Sequence, residues 1–151
     1  MKIFISYRRA EDNKSYIVGT IHEKLSKVFG RGNVFRDTYD ITSGTQWGAR
    51  LDHEVNSCKV MLVVIGPDWA NLADPTGKKR LFDDHDVTRW EVETGLRRRK
   101  EENIAFIPVL VSGTRLPRKE ELPPTLQELS EIQNIIIRNF PDFDQDMDKL
   151  V

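Results

Sequence analysis

The chain has 151 residues, 23 Lys plus Arg against 24 Asp plus Glu, and a formal charge of −1, which allows one core and is too little for two of ordinary size. A charge this balanced sets up no global field toward DNA, RNA or an anionic bilayer, so neither nucleic acid nor membrane is an expected partner. The single cysteine, Cys58, excludes an internal disulfide and a cysteine-built zinc site and fits a reducing cytoplasm, while the longest apolar run, Val60 to Ile65, falls far short of the roughly 20 residues of a membrane helix.

In chain order, Lys2-Ile3-Phe4-Ile5-Ser6-Tyr7-Arg8-Arg9 is an apolar run that ends in a hydroxyl, a phenol and two guanidinium groups, and no leader peptide is expected ahead of it. That layout predicts a buried strand delivering two cations to a sheet edge. Ligands of open α/β sheets bind just outside the carboxyl ends of the strands, and guanidinium forks suit phosphate. Val18, Ile21, Leu25 and Val28 then recur at helical spacing, and Gly30 and Gly32 stop the helix. Val34-Phe35-Arg36-Asp37 reads as a second strand. Ser43-Gly44 leads into a helix carrying Leu51 and Val55, and Cys58 is expected as a small core residue at the start of the third strand. That strand, Lys59 to Ile65, is continuously apolar and therefore central and covered on both faces.

A fourth strand fits Ile104 to Val111, with Pro108 expected to mark a break near its end. Ile135-Ile136-Ile137 supplies a fifth. Phe140, Phe143, Met147 and Leu150 are spaced as one face of a final helix that stops with the chain, so residues 1–151 are expected to form a single domain, the N-terminal module of a longer protein. Alternating strands and helices predict a parallel sheet covered on both faces. Two long connections, Gly66 to Asp86 and Ser112 to about Gln133, exceed the usual roughly 4 to 6 residues and are expected to be functional or partly helical.

The helix expected over Asp86 to Lys100 carries two glutamates on different sides, because two residues at about 100° each separate them. Glu93 has Arg89 four residues before it and Arg97 four after, a salt-bridge spacing. Glu91 has Val87 and Gly95 at those positions and Thr88 and Thr94 three residues away, so no cation of its own helix neutralises it. It flanks an apolar stripe of Thr88, Val92, Gly95 and Leu96 near the helix start, where a carboxylate can face a sheet-edge cleft. Asp83-Asp84-His85-Asp86 reads as a helix cap, Asp86 or Asp84, ahead of a cation site. His22 and His53 have no second ligand at useful spacing. Trp69 is expected to pack its own loop, and the basic runs Lys78-Lys79-Arg80 and Arg97-Arg98-Arg99-Lys100 to be solvated. No G-x-S-x-G elbow and no P-loop is present in the sequence, so serine hydrolase and NTPase chemistry have no motif to carry them.

Phe4-Ile5-Ser6-Tyr7-Arg8-Arg9, Val34-Phe35-Arg36-Asp37 with Ile41 and Ser43-Gly44, Val63-Val64-Ile65-Gly66-Pro67-Asp68-Trp69, Arg80-Leu81-Phe82-Asp83-Asp84, Arg89-Trp90-Glu91-Val92-Glu93 and Ile107-Pro108-Val109-Leu110-Val111 together resemble the Toll/interleukin-1 receptor (TIR) domain. The resemblance runs over nearly the whole chain in order and is closest to bacterial members. It implies an α/β, flavodoxin-like fold, a five-stranded parallel sheet in the order 2-1-3-4-5 with helices on both faces.

Enzymatic TIR domains cleave the nicotinamide-ribosyl bond of NAD, and the resemblance puts the family's catalytic glutamate on Glu91. Arg8 and Arg9, with Tyr7 before them, match the segment that meets the diphosphate, and Asp37 closes the second strand. Trp47 stands one residue beyond the register of an aromatic that stacks on a base. Many NAD-cleaving members carry another aromatic four residues before the glutamate, where this chain has Val87, with Trp90 instead adjacent to Glu91. The resemblance thus implies an NAD glycohydrolase that takes NAD as substrate, needs no metal and no resident cofactor, and works in the cytoplasm. Its implied partners are other TIR domains, through the loop from Asp37 to Trp47, and a sensor domain after Val151. Many TIR domains are instead adaptors that act by homotypic contact, and the fold alone does not separate the two.

Overall fold

The structure, a computed structural model, describes residues 1–8, 16–36 and 44–151, without the side chains of residues 44–47. In chain order the elements are β1 (Ile3–Ser6), α1 (Ile17–Phe29), β2 (Val34–Arg36), α2 (Gly44–Ser57), β3 (Val60–Ile65), α3 (Val87–Glu101), β4 (Ala105–Leu110), β5 (Ile135–Ile136) and α4 (Phe143–Leu150). The strands form one parallel sheet in the order β2-β1-β3-β4-β5, the flavodoxin-like order expected. Ile3 stands opposite Val34 on one side and Val60 on the other, and Val60 opposite Ala105, so the central strands start level, and β1 stops at Ser6 opposite Val63 while β3 and β4 run on to Ile65 and Leu110.

Alternation along the strands separates two cores. Phe4, Met61, Val63, Ile65, Phe106 and Leu110 face α2 and α3, which contribute Leu51, Val55, Val92 and Leu96, with Cys58 among them. Ile3, Ile5, Leu62, Val64 and Val109 face α1 and α4, which contribute Ile17, Val18, Ile21, Leu25, Phe143 and Met147. β3 is buried on both faces, which is why its sequence shows no alternation. The two long connections are partly 3-10 helical, at Arg80–Phe82, Lys119–Glu121 and Pro124–Glu131. They send Trp69, Leu81, Leu122, Leu126, Leu129 and Ile132 into the first core. Among the described residues, no helix is long and apolar enough to cross a membrane.

Three sequence expectations need correction. Pro108 is no break: it lies inside β4 opposite Val63. Ala105 and Val111 donate their N–H groups toward β3, to Lys59 O and Ile65 O, whereas Leu110 O accepts from Ile137 on the β5 side. Even-numbered residues of β4 therefore direct their nitrogens away from β3, and β5 begins only opposite Val109, so the missing proline N–H interrupts no ladder. Val28 is exposed; it sits on the last turn of α1, where the chain leaves through Gly30 at φ 93°, and Phe29 takes the place against the core. Phe140 lies outside the final helix and is 69% exposed, its ring 5.2 Å from that of Phe143. Pro141 disfavours helical backbone at the residue before it, so α4 starts later.

α4 is tied to the sheet edge through a buried carboxylate. Asp146 accepts hydrogen bonds from the Arg138 backbone N–H at 2.9 Å, Nε at 2.8 Å and Nη2 at 2.9 Å. The Arg138 guanidinium and N–H hold its carboxyl well below the usual aspartate range. The folded form thus binds this proton less readily than the unfolded chain, so the stabilisation is complete above the unfolded value of about 3.9 and is lost as pH falls below it. Urea midpoints measured from pH 6 to pH 3 should therefore drop more steeply in the native chain than in Asp146→Asn, and parallel acid limbs would rule this anchor out.

Candidate active site

β1 and the residues that follow it place two polar side chains on the face that α3 covers. Phe4 belongs to the core on that side and Ile3, Ile5 and Tyr7 to the other, so Ser6 and Arg8 share the α3 side. Ser6 Oγ donates to Glu91 Oε1 at 2.7 Å, and both residues are buried, Glu91 to 2% exposure. The carboxylate that finds no cation on its own helix thus has a partner on a different element.

Two residues further, Arg8 is 3% exposed, and its Nη1 donates to Asp86 Oδ1 at 2.7 Å. Its Nε points to the Trp69 carbonyl at 3.4 Å, and Nη2 is buried with no partner among the described residues. The sequence placed Arg8 against a ligand's phosphates; in the fold it is buried and paired with Asp86. Asp86 is also the N-cap of α3, its Oδ2 accepting from Arg89 N–H at 3.1 Å, the capping role expected for it. Among the described residues, no group of three or more His, Cys, Asp or Glu side chains is arranged to hold a metal ion.

The other expected site residues divide. Tyr7 is buried in the core on the α1 side, so strand alternation keeps it apart from Glu91. Trp90 is half-buried against the α3-side core. Arg9 and Asp37 lie outside the described residues, as does the Trp47 side chain. Glu93 pairs with Arg89 at 3.3 Å, as its spacing foretold, whereas Arg97 turns to Glu101 at 3.1 Å.

Three contributors escaped the sequence reading. Ser6 was legible only as a hydroxyl closing an apolar strand, and the second duty of Asp86 toward Arg8 needs tertiary contact to see. Arg98 is a correction as well, because this member of the basic run is buried rather than solvated. Its Nη1 donates to Val55 O at 2.8 Å and to Cys58 Sγ at 3.4 Å, and its Nε to Glu102 Oε2 at 2.9 Å. It ties the end of α2 to α3, and burial pushes the Cys58 thiol up. Chemically, the site offers one shielded carboxylate, aimed by a hydroxyl, at the carboxyl edge beside the β1/β3 switch point, where open α/β sheets bind ligands.

Comparison with known proteins supports the fold on independent grounds. The TIR domains of the activated Roq1 resistosome, which directly recognizes the pathogen effector XopQ, superpose with a TM-score of 0.68 at 13% identity, covering 99% of this chain and 96% of that one. A metazoan TIR-STING receptor from C. gigas in complex with 2',3'-cGAMP gives 0.57 at 20% identity, covering 97% of this chain and 38% of the receptor. A prokaryotic SEFIR domain gives 0.60 at 19% identity, covering 99% and 88%. No curated protein matches the chain. The family model for the TIR domain matches residues 3–151, and with the parallel 2-1-3-4-5 sheet this makes the chain a member of the TIR domain family.

Proposed function

We propose that this TIR domain is an NAD glycohydrolase with Glu91 as its catalytic carboxylate. The observation that carries the reading is the 2.7 Å hydrogen bond from Ser6 Oγ to a Glu91 carboxylate buried at the carboxyl edge of the sheet. Nicotinamide is cationic in NAD and leaves neutral, taking the bonding electron pair, so cleavage needs no general acid. It needs an anion beside the oxocarbenium-like ribosyl carbon that remains. Water adding to that carbon and losing a proton gives ADP-ribose; attack by the substrate's own adenine gives a cyclic isomer. Arg9, Asp37, Trp47 and Trp90 are the proposed NAD-binding residues.

With Glu91 only 2% exposed, substrate reaches it once this end of the sheet opens, which agrees with activation by self-assembly of TIR domains. The proposed setting is cytoplasmic bacterial anti-phage defence or signalling, with a sensor following Val151. The same burial favours a second reading, an adaptor that acts by homotypic contact and in which Glu91 is a structural residue. Incubating clustered protein with NAD and resolving nicotinamide, ADP-ribose and cyclic products by chromatography separates the two. Nicotinamide release is expected for the enzyme; self-association without turnover under any clustering condition would leave only the adaptor.

A further inference from the structure

We propose that Arg8 and Ser6 are positioning residues that together hold Glu91 in place, and that Arg8 is not a ligand for the substrate's diphosphate; the catalytic part of this rests on the glycohydrolase reading. Asp86 serves two elements with its two oxygens. Oδ1 takes Arg8 Nη1 from the segment that follows β1, and Oδ2 caps the Arg89 N–H of α3. One carboxylate thereby pins the first turn of α3 to the end of β1. The second attachment is Ser6 to Glu91.

The two clamps run in opposite senses along their elements, Arg8 to Asp86 and then Ser6 to Glu91, so the strand end and the helix are antiparallel there. From Asp86 to Glu91 is about 7.5 Å of helix rise, and from Arg8 to Ser6 about 6.6 Å of strand. The spacings match to within about 1 Å, so both clamps close without bending either element. Two fixed points on one helix, about 140° apart around its axis, set rotation as well as height, which a single hydrogen bond cannot do, and a reacting carboxylate gains from that preorganisation. Arg8 has little to offer a diphosphate: it is 3% exposed, and its charge is already matched by Asp86 at 2.7 Å. A ligand phosphate taking it over would strand the Asp86 carboxylate in the interior.

The test compares the native chain, Glu91→Gln, Arg8→Lys, Ser6→Ala and Asp86→Asn, each checked for folding by circular dichroism. Nicotinamide release by clustered native protein, lost in Glu91→Gln, establishes the parent reading. On that footing Arg8→Lys and Ser6→Ala are expected to lower kcat on the order of 10- to 100-fold with KM little changed. They should leave the dissociation constant of ADP-ribose, measured by calorimetry, within about threefold of native. A tenfold rise in KM or in that dissociation constant with kcat retained would make Arg8 a phosphate ligand and overturn the proposal.

The clamp is also read without turnover. Amide hydrogen exchange over residues 89–92 should quicken on the order of tenfold in Asp86→Asn, and the Glu91 carboxyl carbon resonance should move in Ser6→Ala. Neither change occurring would sink the clamp whether or not the chain cleaves NAD. A native protein that is inactive but shows both changes would sink only the glycohydrolase reading. If Arg8→Lys fails to fold, Asp86→Asn and Ser6→Ala decide the question.

Discussion

Glu91→Gln is expected to reduce nicotinamide release from NAD on the order of 10²-fold or more while the chain stays folded. Glutamine keeps the shape of glutamate and its side-chain oxygen can still accept from Ser6 Oγ, so the packing around this 2% exposed residue is preserved. What disappears, on the proposed glycohydrolase reading, is the negative charge beside a carbon that becomes cationic as nicotinamide leaves. In a site this shielded, that electrostatic stabilisation is worth far more than in water. Glu93→Gln is the matched control. Glu93 sits two residues away on the same helix, on the far side, in a pair with Arg89 at 3.3 Å that is partly open to solvent. Such pairs contribute little, so this variant should keep its rate within about twofold. Chromatographic nicotinamide assays on clustered protein check both. Near-normal release by folded Glu91→Gln would sink the catalytic assignment.

The contrast between these glutamates shows how much a sequence can give up. Helical geometry separates their directions, and neighbours at four residues' spacing explain Glu93 almost completely. For Glu91 the same reasoning reports a lack of local partners but does not say what replaces them. Ser6 lies 85 positions away in sequence, and only the packing of α3 across β1 brings the hydroxyl to it. The parallel sheet covered on both faces was legible because strand and helix patterns alternate down the chain, and the central place of β3 because it is apolar without alternation; the full strand order came from the resemblance to TIR domains. Pro108 was misjudged because its cost depends on which neighbour its nitrogen faces, and the late start of β5 cancels that cost.

Arg8 and Arg98 share a burial that the sequence did not show. A guanidinium near a sheet edge or in a basic run looks solvated in one dimension, yet each is buried against a carboxylate, Asp86 and Glu102. Arginine is the cation best able to keep its charge in the interior. Tyr7 and Arg8 are adjacent, yet alternation turns them to opposite faces of the sheet, Tyr7 to the α1 side and Arg8 to Asp86. A parity count along β1, anchored at Phe4 or Ile5, was the available signal.

Adding one methyl group at two glycines is expected to change stability in opposite directions. Gly48, in α2, has nothing within 4 Å of the position a Cβ would take. Gly48→Ala should therefore stabilise by about 0.5–1 kcal/mol, because alanine restricts the unfolded chain and favours helix. At Gly95, in α3, that helix packs directly on Met61 of β3 and Phe106 of β4. A Cβ there would stand 2.8 Å from Phe106 Cε2 and 3.0 Å from Cδ2, and would also collide with Met61 Sδ. The thioether can swing aside; the Phe106 ring, 6% exposed and packed between β4 and α3, has less room to move. Overpacking of about 1–3 kcal/mol then outweighs the helical gain of about 1 kcal/mol, for a net loss of up to about 2 kcal/mol.

Gly95→Leu must place a whole isobutyl group in the same space and is expected to show no cooperative unfolding transition. Urea denaturation of Gly48→Ala, Gly95→Ala and the double variant Gly95→Ala/Phe106→Leu checks the account, since the smaller and more adaptable leucine should recover part of the loss. Gly95 is one helical turn beyond Glu91, so a helix lifted at Gly95 also draws the carboxylate away from Ser6. Gly95→Ala should accordingly lose nicotinamide release per folded molecule, whereas Gly48→Ala keeps it. Equal stability effects at the two glycines would mean that α3 is not held at this close approach, and the placement of Glu91 would need another cause.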